Sequence, residues 1–334
     1  MAVIPPSIPA IREAAAALEG LIVATPVIPW QPPWLADVLG ATKVFLKLEL
    51  FQHAGSFKPR GALTRMLGLD PGTLKRGVTA VSAGNHAAAV AFSAARLGVT
   101  AKVVMPASAN PSRVALCRTY GAEIVFVKDV HEAFPMGETI ERDEGRTMIH
   151  PFEGVEVSLG TATLGLELIE QVPDLDAIIV PVGGGGLASG VAAAVKQLSP
   201  ECAVFGVEPT GADSMSRSFA AGSPQAAGAI TTIADSLAPP FSLPHSFSLC
   251  RQLLDDLVLV DDDALCSSLY HLFRSAKLAV EPAGAASTAA LLGPLRDRLR
   301  GSRVGLIVCG ANIDHASFAT YLTRGAAAVT ASGV

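Results

Sequence analysis

One pattern constrains this chain more than any other: short apolar runs, each closed by glycine, proline or a polar residue, alternate with longer segments of helical spacing. Candidate strands fall at residues 43–48, 79–81, 101–105, 123–127, 177–182, 203–207 and 304–308. Between them, 85–97 carries Val90, Ala94 and Leu97 on one helical face. The segment 161–171 carries Leu164, Leu168 and Ile169, and 186–198 carries Leu187, Val191, Ala194 and Val195. This alternation predicts an α/β fold, a mostly parallel sheet covered by helices. The 334 residues suffice for two domains or one large α/β unit. Residues 54–150 hold their own succession of strand and helix patterns, so a small α/β domain is expected there, inserted into a large one formed by 1–53 and 151–334. Pro-rich loops at 29–33 and 237–244 punctuate the chain.

Half of the residues are apolar and 16% are charged, the opposite of a disordered composition. Mean hydropathy is positive. Even so, the most apolar stretches, such as 177–180 and 306–308, last only a few residues, where a bilayer span needs about 20. No membrane association is expected. Lys and Arg number 25 against 30 Asp and Glu, a net charge of -5, and no basic cluster is long enough to follow a phosphate backbone. That counts against nucleic acid as a partner. The N-terminus, Met-Ala-Val-Ile-Pro-Pro, lacks the basic region of a signal peptide, which points to the cytoplasm. Cys117, Cys202, Cys250, Cys266 and Cys309 are scattered, odd in number and free of CxxC spacing, so neither a disulfide framework nor a zinc site is expected.

Three segments carry chemistry. The run 177–182 leads into Gly183, Gly184, Gly185 and Gly186 and then an amphipathic helix. Glycines let backbone amides converge on a ligand, and a helix start adds positive dipole, so the site suits a phosphate. Gly183, Gly185 and Ala188 also satisfy the dinucleotide fingerprint G-x-G-x-x-A. Glu208 ends the next apolar strand, where a ribose-binding acid would sit, so an NAD-dependent oxidoreductase is a rival reading. The second segment, Gly55 to Ala62, places Lys58 at the start of a helix pattern in apolar company. Lysine is usually surface charge, but desolvation would make it a Schiff-base candidate. The third, Ser82-Ala83-Gly84-Asn85-His86, is a small polar turn before a long helix. Its amides and side chains suit a carboxylate, or else Ser82 or Asn85 is an N-cap and His86 an ordinary first-turn histidine.

Taken in order, Ser56-Phe57-Lys58-x-Arg60-Gly61-Ala62, Ser82 to His86, Gly183 to Gly186 and Glu281-Pro282-Ala283-Gly284-Ala285 resemble the fold-type II pyridoxal-phosphate enzymes. The likeness is strongest to their serine/threonine dehydratase (threonine ammonia-lyase) branch and runs from Thr25-Pro26 to Asn312. It implies a tryptophan synthase β-like fold of two open, twisted α/β domains with mostly parallel sheets. By this resemblance Lys58 forms the Schiff base with pyridoxal 5'-phosphate, Phe57 packs beside the ring and Asn85 hydrogen-bonds its phenolic oxygen. Gly183 to Gly186 would hold the cofactor phosphate, and Ser82, Ala83, Gly84, Asn85 and His86 the substrate carboxylate. Cys309 would face the pyridine nitrogen, and Glu281 would line the same site.

The implied reaction is β-elimination from a 3-hydroxy amino acid such as L-threonine or L-serine, giving a 2-oxo acid and ammonia. Lys58 would take the Cα proton while the cofactor supplies the electron sink. Racemisation and β-replacement are the alternatives on the same fold. Racemases that resemble this family carry serine where this chain has Ala83, and alanine has no proton to give, which favours elimination. A neutral thiol at Cys309 does not enforce a protonated pyridinium, which favours prompt elimination.

Two departures bear on the substrate: Ser158-Leu159-Gly160-Thr161 stands where relatives commonly read Gly-Gln-Gly-Thr, and Ser236 where glycine is usual. Threonine, serine, a hydroxyaspartate, an aryl-serine and an osmolyte-derived hydroxy amino acid all remain open. Some relatives bind a divalent metal near the position of Glu208. Here Ser214 stands where the second acid is expected, so no metal is expected. The chain stops soon after Asn312, which suggests no regulatory C-terminal domain and a catabolic role. By resemblance it would be a homodimer.

Overall fold

The computed structural model describes residues 3–332. Among them the strands are β1 (Val27–Pro29), β2 (Lys43–Lys47), β3 (Val78–Val81), β4 (Ala101–Pro106), β5 (Glu123–Val127), β6 (Thr147–Met148), β7 (Ala177–Pro181), β8 (Ala203–Pro209), β9 (Asp256–Val260) and β10 (Arg303–Ile307). They form two sheets, β1-β2-β10-β7-β8-β9 and β5-β4-β3-β6. Pairing is parallel throughout except between β1 and β2. Such sheets need helical crossovers and burial on both faces.

Every strand expected from sequence is present to within two residues at either end. The sequence pattern missed β1, β6 and β9. The first two are too short to show a period, and β9 lies on a sheet edge where only Val260 is buried. The helix expected from 161 starts earlier, at Val155–Gln171. Ser158 and Gly160 in its first turns carry no apolar stripe, but they let it press against helix Pro59–Leu67. A Cβ added at Gly160 would lie 2.4 Å from the Arg60 carbonyl oxygen. Helices begin on Pro33, Pro59, Pro71, Pro111, Pro244 and Pro282, since proline's fixed φ and missing N–H cost nothing at a first helical position. Helix Pro282–Leu292 is made of small residues and is buried from Pro282 to Leu291, as a helix without a polar face must be. Among the described residues, no helix is long and apolar enough to cross a membrane.

A buried group of four charges joins the two sheets' helices. The Arg60 guanidinium, fully buried, donates to both oxygens of Glu49 (2.8 and 2.9 Å) and both oxygens of Glu167 (2.7 and 2.8 Å). Lys47, also fully buried, donates to Glu167 at 2.7 Å, to the Thr25 carbonyl at 2.8 Å and to Gln171 at 2.9 Å. Thr25 completes the set by donating its hydroxyl to Glu49. Two cations thus meet two carboxylates with their hydrogen bonds filled. Removing one partner strands a buried charge, which costs more than the pair itself is worth. Glu49→Gln should therefore lower the unfolding free energy by about 3–5 kcal/mol, measured by urea denaturation; a loss under about 1 kcal/mol, the value of a surface pair, would mean that the network does not tie the fold.

Candidate active site

Beyond β2 the chain makes two tight turns, Glu49–Phe51 and His53–Gly55, before helix Pro59–Leu67. Gly55 sits at φ 70°, and a Cβ there would lie 2.5 Å from Asn312 Oδ1, so glycine is required. Ser56 then pairs with Gly310, and the Phe57 amide donates to the Cys309 carbonyl at 3.1 Å. These contacts lay the Lys58 segment along the end of β10. Lys58 Nζ donates to the Pro151 carbonyl at 2.6 Å and lies 5.0 Å from the Phe57 ring centroid. Desolvation pulls the Lys58 pKa down to about 8, although Cys309 and Glu281 both favour the charged form.

At the turn after β3 neither Ser82 nor Asn85 caps the helix that follows. Gly84 is the N-cap of helix Asn85–Arg96, without side-chain help. Ser82 instead accepts from the Gly84 amide at 3.1 Å, and Asn85 turns away from the helix start. Asn85 Nδ2 donates to Glu281 at 2.6 Å, and Asn312 donates to Asn85 Oδ1 at 2.7 Å. No acceptor among the described residues meets the amides of Ala83, Asn85 and His86. His86 is buried, with Nε2 2.6 Å from the Ile149 carbonyl. Burial and the nearby Lys58 charge push its pKa to about 3, so the ring is neutral and carries its proton on Nε2 to donate.

The four glycines follow β7 and Val182 and lead into helix Gly186–Leu198. Gly185 adopts φ 89°. No backbone carbonyl among the described residues accepts from the amides of Gly183 to Ala188, which leaves a row of donors at a positive helix end. Side chains are excluded here. A Cβ on Gly184 would lie 2.2 Å from the Phe152 ring, and one on Gly186 2.5 Å from the Phe152 carbonyl oxygen.

Glu281 and Cys309 close the site from the large sheet's side. Glu281 is buried and its pKa rises to about 7, because desolvation and the charge of Asp235 outweigh the hydrogen bond from Asn85. Burial likewise lifts the Cys309 thiol well above its ordinary range, more than Lys58 can offset, so it is neutral at physiological pH. Beyond Ala83 and Glu281 opens a cavity of about 290 Å³, also lined by Ile233, Tyr321, Arg113 and Asp235. Arg113 is committed: it donates to both oxygens of Asp235 (2.5 and 3.2 Å) and to the Asn312 carbonyl (3.3 Å).

Lys58, Phe57, Asn85, Glu281 and Cys309 are therefore linked by contacts or charge, and the Gly183 loop joins them through the segment 150–152. Sequence reasoning missed that segment, together with Arg113 and Asp235. A His-Pro-Phe run at the edge of the expected inserted domain was its one local signal. Of the two departures, Ser236 stands beside Glu281 and Asn85, 3.4 Å from each. Leu159 instead packs in an apolar cluster with Ile11, Ala162 and Leu166. Glu208, the acid needed for dinucleotide or metal, is fully buried, and its oxygens accept from the amides of Met215 and Ser216 at 2.9 and 2.8 Å. It caps helix Ser214–Ala221, so no ribose can reach it.

Comparison with known proteins gives the chain a family. The family described as "Pyridoxal-phosphate dependent enzyme" matches residues 18–310. A phenylserine dehydratase from Ralstonia pickettii is 53% identical over 284 residues, 85% of this chain and 87% of that protein. An L-threo-3-hydroxyaspartate ammonia-lyase from a Pseudomonas species is 38% identical over 311 residues, 93% of this chain and 96% of the relative. Maize serine racemase superposes with a TM-score of 0.88 at 36% identity, covering 96% of this chain and 99% of that one. The chain belongs to the pyridoxal-phosphate dependent enzymes of fold type II, in their serine/threonine dehydratase family.

Proposed function

We propose that this lyase eliminates water from a 3-hydroxy amino acid whose β-substituent is bulky and uncharged, an aryl-serine above all, releasing a 2-oxo acid and ammonia. The cavity beyond Ala83 carries this reading. At about 290 Å³ it far exceeds a methyl group. Its acids, Asp235, Glu281 and Asp314, outnumber its one cation, and Arg113 is already neutralised by Asp235. A second carboxylate on the substrate would find no free positive partner there. Ile233, Ile313 and Tyr321 offer apolar surface to a ring. The dehydratase from Ralstonia pickettii, whose name gives phenylserine as its substrate, supports the same choice.

The donor set fits pyridoxal 5'-phosphate, which supplies an electron sink for negative charge developing at the substrate Cα. The amides of Gly183 to Ala188 would hold its phosphate, Asn85 its phenolic oxygen, and Phe57 would pack beside its ring. Cys309, kept neutral by burial, would face the pyridine nitrogen without protonating it. Lys58, with a pKa near 8, is partly free base at neutral pH, so it can bond the cofactor and take the Cα proton. The amides of Ala83, Asn85 and His86 would orient the substrate carboxylate. Ala83 offers no proton to the opposite face, so no proton returns to Cα from there. The proton that Lys58 takes from Cα can pass to the departing β-hydroxyl, which leaves as water; the freed enamine tautomerises to an imine, and water hydrolyses that to the 2-oxo acid and ammonia. On this reading residues 54–150 form the small domain, 1–53 with 151–334 the large one, and the enzyme works as a homodimer, which family resemblance alone supports.

Three outcomes are expected. In a panel assayed for keto acid and ammonia, phenylserine should exceed threo-3-hydroxyaspartate by about tenfold or more in kcat/KM, with negligible D-enantiomer formed. Asp235→Asn, which frees Arg113, should narrow that ratio. Hydroxyaspartate as the preferred substrate of the unaltered enzyme would overturn the assignment. Gly184→Ala should weaken cofactor retention on dialysis about tenfold or more, because the Phe152 ring blocks its methyl group. Finally, cofactor capture needs the free amine, so its rate should climb as pH rises through about 8; a midpoint near the ordinary lysine value would contradict the desolvated site.

A further inference from the structure

We infer that His150 is a positioning residue for Lys58: its imidazole folds the turn 150–153 so that the Pro151 carbonyl receives the lysine amine and Phe152 seats the glycine loop. This role rests on Lys58 being the cofactor-bonding residue. His150 Nδ1 accepts from the amides of Phe152 (3.3 Å) and Glu153 (2.9 Å), closing the chain into a tight turn at the point where it leaves β6. One residue on, the Pro151 carbonyl accepts from Lys58 Nζ at 2.6 Å. The Phe152 ring meets the His150 ring edge-on, with centroids 4.7 Å apart, and fills the space that a Gly184 side chain would need. The Phe152 carbonyl accepts from the Ser246 hydroxyl at 2.8 Å. Glu153 accepts from the amides of His245 (2.7 Å) and Ser246 (3.1 Å) at the start of helix Pro244–Leu253. On the other side, the Ile149 amide donates to Thr79 in β3 at 2.9 Å, and its carbonyl meets His86.

Four residues thus fix the distance between the amine and the row of phosphate-facing amides, two groups that must hold opposite ends of one small molecule. The turn works only with Nδ1 unprotonated, because an imidazolium would present a proton to two donors. Burial and the Lys58 charge hold the His150 pKa near 4 against the pull of Glu153, so the ring stays neutral throughout the working range. His86, likewise neutral, adds no charge beside it.

The test compares full-length wild type with His150→Ala, His150→Asn and His150→Gln. The asparagine oxygen can stand where Nδ1 stands; the glutamine oxygen is displaced by a bond length. With cofactor removed, Lys58 is acylated at pH 10, above its titration, and quantified by mass spectrometry, with exposed Lys75 as control. A held amine should label about tenfold more slowly in wild type and His150→Asn than in His150→Ala and His150→Gln, with Lys75 unchanged. Growth of the visible cofactor band on adding pyridoxal phosphate should show the same grouping. Equal Lys58 labelling across the set, or His150→Asn behaving as His150→Ala, would overturn the role. Should His150→Ala fail to fold by thermal melting, the asparagine and glutamine pair decides. Failure of the cofactor assignment itself is separable: wild type would then form no visible band at all.

Discussion

The site depends on a charge placed where charge is costly. Arg60 lies two residues from Lys58 and is wholly buried, so it is stable there only while Glu49 and Glu167 take four of its donors and the Thr163 hydroxyl another. Those acids come from the turn after β2 and from helix Val155–Gln171, and Lys47 in β2 closes the group. The network therefore fixes the start of helix Pro59–Leu67 relative to the larger sheet. Lys58 inherits that placement. Gly160 and Gly61, which admit Arg60 and Val157 at close range, are the steric counterpart of the same contact.

A second constraint is the scarcity of positive charge at the reacting end. Arg60 is spent underneath and Arg113 at the mouth, and both histidines near Lys58 are neutral. Desolvation lifts the pKa of Glu281 and of the Cys309 thiol by more than Arg113 and Lys58 offset, while the same burial carries Lys58 downward. The amine, the carboxyl and the thiol thus approach neutrality together. That suits the proposed chemistry, in which one amine serves first as nucleophile and then as base.

Much of this was legible in the chain. Lys58 and the four glycines each stand at a junction between elements, where the local residues dictate the backbone: Pro59 starts a helix, and consecutive glycines leave amides bare. The central parallel strands announced themselves as apolar runs. What stayed hidden depends on contacts distant in sequence. Locally Asn85 could equally have been an N-cap; its amide is instead held by Glu281, 196 residues later. The rival dinucleotide reading made Glu208 a ribose ligand, and only the structure shows the next helix using its carboxylate as a cap. Arg113 and Asp235 are 122 residues apart, and no local pattern marks the pair that sets the cavity's charge. Edge strands β1, β6 and β9 are short or half-exposed, so they carry little periodicity.

The proposed chemistry turns on one covalent bond, between the cofactor and Lys58 in this desolvated pocket. Borohydride reduction of the holoenzyme followed by peptide mass mapping tests it most directly. A pyridoxyl adduct is expected on the peptide that contains Lys58 and on no other lysine. An adduct at a different lysine, or none in protein that is active, would contradict it.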